Sequence, residues 1–138
     1  MKKSINTAFI YSIVAMVFGV FYREFTKYLD FTGFTKLSVM HTHSFTLGMF
    51  MFLIVALFIK NLNIDKTKEY GRFFVIYNIG LVVTLITLFA RGIIEVLNKD
   101  ITNAVNASIS GIAGIGHILL GVGIIFLFLS IKKSIVEK

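Results

Sequence analysis

The chain contains no cysteine, no proline and no tryptophan, and only 15% of its residues are charged. Without thiols it can form no disulfide, ligate no iron–sulfur cluster and attach no c-type haem. Soluble domains usually carry about 25% charged and about 45–50% apolar residues. Here 57% of 138 residues are hydrophobic, with 15 phenylalanines, and they fall in long blocks. That pattern belongs to an integral membrane protein. The net charge of +7 would raise the question of nucleic acid in a soluble chain. Here the basic residues flank apolar runs, which fits orientation in a bilayer and leaves no nucleic-acid role.

Met1-Lys2-Lys3 followed by an apolar run imitates a signal peptide. The run over residues 5–22 outlasts an h-region of about 7–15 residues, however, and no A-x-A-like site follows it. It reads as a first transmembrane helix over 4–25. Further helices are predicted over 37–59, 73–97 and 109–131, each near the ~20 residues that cross a ~30 Å hydrocarbon core. The connections, containing Gly33, Asp65 and Asp100, are short enough for antiparallel neighbours. The expectation is an all-α integral membrane four-helix bundle, residues 1–138 forming one domain.

Lys and Arg set the orientation. Lys2, Lys3, Lys60, Lys66, Lys68, Arg72, Lys132, Lys133 and Lys138 fall at one end of the helices, nine in all. Arg23, Lys27, Lys36 and Lys99 fall at the other, with Arg91 slightly inside the membrane. The excess places both termini in the cytoplasm, in the cell membrane of a multi-pass protein.

Each helix carries small or polar residues at steps of three and four, which keep to one face. They are Tyr11, Ala15, Gly19 and Tyr22; His41, Phe45, Gly48 and Phe52; Tyr77, Gly80, Thr84, Thr87 and Arg91; and Ser110, Gly114, His117 and Gly121. These four faces are expected to line the bundle interior. The glycines can serve close helix packing. Gly114 and Gly121 differ from Gly19 and Gly80 in flanking His117, and Gly48 lies seven residues beyond His41. A histidine with bare backbone above and below leaves a flat slot suited to a porphyrin.

Ionisable residues within membrane spans are functional hypotheses by default. The chain has three histidines, His41, His43 and His117, all beside or within apolar runs. Imidazole is a common ligand of haem iron, and helix bundles are where such sites are built. His41 and His43 stand about 200° apart around a helix and cannot both face one ring. The Gly48 register favours His41 with His117 as axial ligands of haem b, His43 being the alternative to His41. His41 lies about 6 Å and His117 about 12 Å from the predicted helix starts, so a shared ring is tilted or a boundary shifts by a turn. The same histidines could instead hold zinc or copper, although no carboxylate or thiol lies nearby in sequence. Arg91 suits a haem propionate, or an i,i+4 pair with Glu95. Tyr11, Tyr22 and Tyr77 are expected as interior packing or hydrogen-bonding residues.

Two resemblances follow from these segments. Tyr22-Arg23-Glu24-Phe25, His41-Thr42-His43 with Leu47-Gly48-Met49, Tyr77-Asn78-Ile79-Gly80, Arg91-Gly92 and Ser110–Gly114 with His117 resemble a family of small four-helix bacterial membrane proteins of unknown function. His41-Thr42-His43 with Gly48-Met49-Phe50 is locally similar to the second helix of haem–copper oxidase and nitric oxide reductase catalytic subunits. That likeness implies a low-spin haem ligand at His41. Four helices and three histidines leave no copper centre, so it does not imply oxygen reduction with proton pumping. The reading is a b-type haem protein for electron transfer or for redox or gas sensing, possible as a homodimer and with a membrane or extracytoplasmic redox partner. The alternatives are a zinc- or copper-handling protein and a non-catalytic subunit of a larger complex.

Overall fold

Proline would remove a hydrogen bond and break or kink a helix, and none is present to do so. A computed structural model, which describes residues 1–136, accordingly contains long helices and no strand among the described residues. They are α1 (Lys2–Tyr28), α2 (Lys36–Leu62), α3 (Lys68–Val96) and α4 (Asn103–Val136), each long and apolar enough to cross a membrane. All four are longer than the apolar runs alone predict, because lysine, asparagine and serine at the ends extend the helical ladder beyond the hydrocarbon.

Glycine does not close these helices. Asp30, Asn63 and Asn98 take the left-handed conformation at φ 48°, 53° and 47°, just past the ends of α1, α2 and α3. Short polar side chains make Asp and Asn the usual non-glycine residues there. No glycine has positive φ, so the glycines are available for packing.

α3 is the hub. Gly80, Gly116 and Gly123 bring it against α4. A methyl group at Gly80 would lie 2.8 Å from the Leu120 backbone nitrogen and 2.9 Å from the Gly116 carbonyl oxygen. At Gly123 it would lie 2.8 Å from the Tyr77 Cβ. α2 crosses α3 at Leu37 beside Gly92, and Tyr77 Oη donates to the Leu47 carbonyl at 2.9 Å. α1 reaches α3 through longer side chains: Tyr11 Oη donates to Asn78 Oδ1 at 3.0 Å, and Phe18 and Phe21 pack on Phe89. A core of Phe52, Phe73, Tyr77 and Leu81 fills the space between the first three helices.

One end of the bundle collects the N-terminus, the α2–α3 connection and the last turns of α4. The Met1 amino group pairs with Asp65 at 3.5 Å, Lys133 pairs with Glu69 at 3.5 Å, and Ser130 Oγ and Thr67 Oγ1 are 2.6 Å apart. At the opposite end Thr35 Oγ1 donates to the Gly92 carbonyl at 3.0 Å, and the Lys36 backbone N–H donates to Glu95 Oε2 at 2.6 Å. Arg91 therefore does not pair with Glu95; it donates to Asn106 Oδ1 and to Ser110 Oγ at the start of α4.

α2 is not uniform. It opens with a 3₁₀ turn (Lys36–Val39), makes one α turn (Met40–His43), widens to a π-helix (Ser44–Phe50) and finishes as α-helix (Met51–Leu62). π segments are rare and concentrate at functional sites. The Leu47 carbonyl that receives Tyr77 lies within this stretch. Tyr77→Phe is expected to remove this interhelical bond and to cost about 0.5–1.5 kcal/mol, measured as a lower unfolding temperature in detergent with the helical signal before unfolding unchanged.

The inward faces expected for α1, α2 and α3 are the packed ones, with Tyr11, Ala15, Gly48, Phe52, Tyr77, Gly80, Thr84 and Thr87 all buried. The face expected for α4 is corrected. Ser110, Gly114, His117 and Gly121 are exposed, whereas Gly116, Leu120, Gly123, Leu127 and Ser130 face α3. Glycines recur on two faces of α4, and the close approach of α3 at Gly80 selects the second of them.

Candidate functional site

His117 stands on the open face of α4. Its Nδ1 lies 2.8 Å from the Ala113 carbonyl, one turn back. A carbonyl can only accept, so this bond keeps the proton on Nδ1 and leaves Nε2 with a free lone pair. Metal-ligating histidines almost always show this arrangement, the far nitrogen donating to a carbonyl or carboxylate. A Cβ at Gly111, Gly114 or Gly121 would meet nothing within 4 Å. The helix surface on the Gly114 and Gly121 flank of the imidazole is therefore bare backbone.

Beside His117 lies a groove of about 260 Å³ lined by Lys36, Thr87, Leu88, Arg91, Ile109, Ser110, Ala113 and His117. Arg91 and Lys36 are its cations, toward the Arg91 end of the bundle, and Leu88, Ile109 and Ala113 supply apolar wall. The groove is thus amphiphilic along its length. Lys36 also sits 4.8 Å over the Phe34 ring.

His41 and His43 diverge as helix geometry requires. His41 faces α1, where a Cβ at Gly19 would lie 3.8 Å from the His41 Cβ. Its Nδ1 is buried without a hydrogen-bond partner, and so is Ser44 Oγ. Gly48 shares this side of α2, and the space above it is filled by Tyr11, whose ring carbon would stand 2.5 Å from a Cβ there. Gly48 therefore admits Tyr11 and leaves no open slot. His43 is on the other side of α2, where it lines a shallow pocket with Thr42, Thr46 and Leu47. Its Nδ1 lies 2.8 Å from the Val39 carbonyl, the same one-turn-back bond that His117 makes.

Tyr22 is half-buried, while Tyr11 and Tyr77 make the interhelical bonds already described. The sequence reading did not assign a site role to Asn106 or Ser110, which hold Arg91, or to Gly116, which places α4. Arg91 and Ser110 were each recognisable as polar residues in apolar helices, but their pairing depends on how α4 starts. No three His, Cys, Asp or Glu side chains converge among the described residues.

Residues 1–134 match one protein family along nearly the whole chain. The chain belongs to DUF2871, a family of proteins of unknown function. No curated protein and no solved structure matches it. Family membership assigns no chemistry, so a functional reading of this DUF2871 member rests on the residues themselves.

Proposed function

We propose that the protein is a b-type haem protein of the cytoplasmic membrane, with His117 as an axial ligand, serving electron transfer or the sensing of redox state or of a gas such as oxygen or nitric oxide. The observation that supports it is His117 itself: an imidazole with Nδ1 committed to the Ala113 carbonyl, on a helix face left bare at Gly114 and Gly121. A porphyrin needs a free Nε2 and clearance beside it, and the Nδ1 bond with the open positions at Gly114 and Gly121 supports that reading. Arg91 and Lys36 line the same groove and are the cations that would meet the carboxylates of the two propionates. When bound, haem supplies reversible one-electron exchange and, with a free coordination position, affinity for small gases.

The chain's own residues do the rest. Asn106 and Ser110 hold the Arg91 guanidinium at the groove. The apolar wall of Leu88, Ile109 and Ala113 would pack against the ring, and the Ala113 carbonyl fixes the imidazole tautomer. A single zinc or copper ion held by all three histidines fits less well, because His41 faces α1 and His43 the opposite side of α2. The orientation belongs to the same proposal: eight Lys and Arg of the described residues at the end bearing Met1 (Lys138 lies outside them), against five at the end bearing Arg91, favour both termini in the cytoplasm.

An absorption spectrum of the detergent-purified protein, expressed with ample haem supply and recorded before and after dithionite, tests the reading. A Soret band that responds to reduction is expected, and His117→Ala should abolish or shift it. Absence of any Soret band in the parent protein overturns the proposal. Stoichiometric zinc or copper without iron, measured by elemental analysis, would favour a metal-ion-handling protein instead.

A further inference from the structure

Resting on the haem reading, we propose that His43, on the outer half of α2, is the residue that would hold the haem iron together with His117 of α4. Four observations converge on this pairing.

The first is chemical. Of the three histidines, His43 and His117 make the same bond, Nδ1–H to the carbonyl one turn back, at 2.8 Å in both. Each is held in the tautomer that a ligand requires. His41 has no such partner for its Nδ1.

The second is depth. α2 is pinned to α3 at Leu37 beside Gly92 and at Leu47 beside Tyr77. His43 lies between these two points, and so opposite the turn of α3 that contains Thr84. α4 is pinned to the same turn, since a Cβ at Gly116 would sit 2.7 Å from Thr84 Oγ1. His117 is the next residue. His43 and His117 therefore stand within about one helical turn of each other along the membrane normal, at 1.5 Å rise per residue. His41, two residues earlier, lies only about 3 Å away along the axis, so depth admits either histidine and the face each presents decides between them.

The third is side. Lys36, seven residues before His43 across the 3₁₀ turn, lies closer to the face of His43 than to that of His41, and it lines the groove with Ala113 and His117 of α4. His41 is turned toward Gly19 of α1, and α1 makes no comparable packing with α4 among the described residues.

The fourth is the path of the helices. α4 packs on α2 along the α-helical half Met51–Leu62 and near the connection at Ile64–Lys66. Among the described residues the outer half of α2 makes no comparable contact with α4. The two helices diverge over α3 toward the end where His43 and His117 stand. The π-helix begins at Ser44, immediately after His43, and so lies where the two halves of α2 part.

Two imidazoles on one iron give a six-coordinate, low-spin centre, and this supplies the test. The detergent-purified full chain, loaded with haem, is compared with His43→Ala, His41→Ala and His43→Met by absorption and electron paramagnetic resonance. The parent is expected to be low-spin, and His43→Ala to be high-spin, with added imidazole restoring the low-spin form. His41→Ala should keep the parent spectrum. His43→Met should remain low-spin with a raised midpoint potential, because a methionine–histidine pair raises it; a merely structural role for His43 would not move the potential in that way. A low-spin signature that survives His43→Ala, or a parent that is high-spin, overturns the pairing while leaving haem binding intact. No Soret band in the parent overturns the haem reading itself.

Discussion

Gly80→Val is expected to yield little folded protein. A branched side chain at Gly80 meets the Leu120 nitrogen and the Gly116 oxygen at under 3 Å, and both are backbone atoms of a helix that cannot yield locally. Relief requires α4 to move off α3 along its length. Overpacking commonly costs 1–3 kcal/mol and more where the neighbours are rigid, so at least about 3 kcal/mol is expected here, against a total of about 5–15 kcal/mol. Thermal unfolding in detergent, with the fraction recovered as a monodisperse peak, measures this. Gly71→Ala is the control, since a Cβ there meets nothing within 4 Å and alanine favours a helix over glycine by about 0.5–1 kcal/mol. If Gly80→Val were as stable as Gly71→Ala, the close contact of α3 with α4 would be refuted.

Gly114→Leu and Gly121→Leu are expected to do the reverse. Both positions face open space, and leucine is the better helix former by roughly 0.8 kcal/mol, so the unfolding temperature should hold or rise. Haem content should collapse, because an isobutyl group one turn from His117 occupies the plane that a porphyrin needs. The measurement is the ratio of haem to protein beside the melting curve of the same sample. Unchanged haem in both variants would show that no ring lies on this face. Glycines of similar sequence setting are thus separated by opposite outcomes, Gly80 of α3 with Gly116 of α4 serving the contact and Gly114 with Gly121 of α4 the opening.

Much of the architecture was legible because lipid imposes a simple rule on sequence. Apolar blocks about twenty residues long must be helices, and four of them appear. The polar faces of α1, α2 and α3 were legible for the same reason, since Tyr11, Thr84 and Thr87 have no business in lipid. α4 was not, because glycine satisfies both a packing face and an empty one. Gly114 and Gly116 look alike until Gly80 arrives against one of them. The divergence of His41 and His43 follows from helix geometry alone. Which of them faces α1 does not, because it depends on Tyr11 entering the space at Gly48 and on Gly19 admitting His41. The π segment was illegible too: its residues have no distinctive pattern, and its Leu47 carbonyl is met by a tyrosine thirty positions away.

That widened stretch has a meaning beyond the site. In a regular helix, adding or removing one residue turns everything downstream by about 100° and spoils whatever face was packed. Ser44–Phe50, with bonds to the fifth residue instead of the fourth, accommodates one residue more than an α-helix joining the same two ends. His43 answers to one set of neighbours and Phe52 to another, and the slack between them belongs to neither. In genetic terms, this is where the length of α2 is uncoupled from its register, so that the outer half could change its commitments while the core half kept its own.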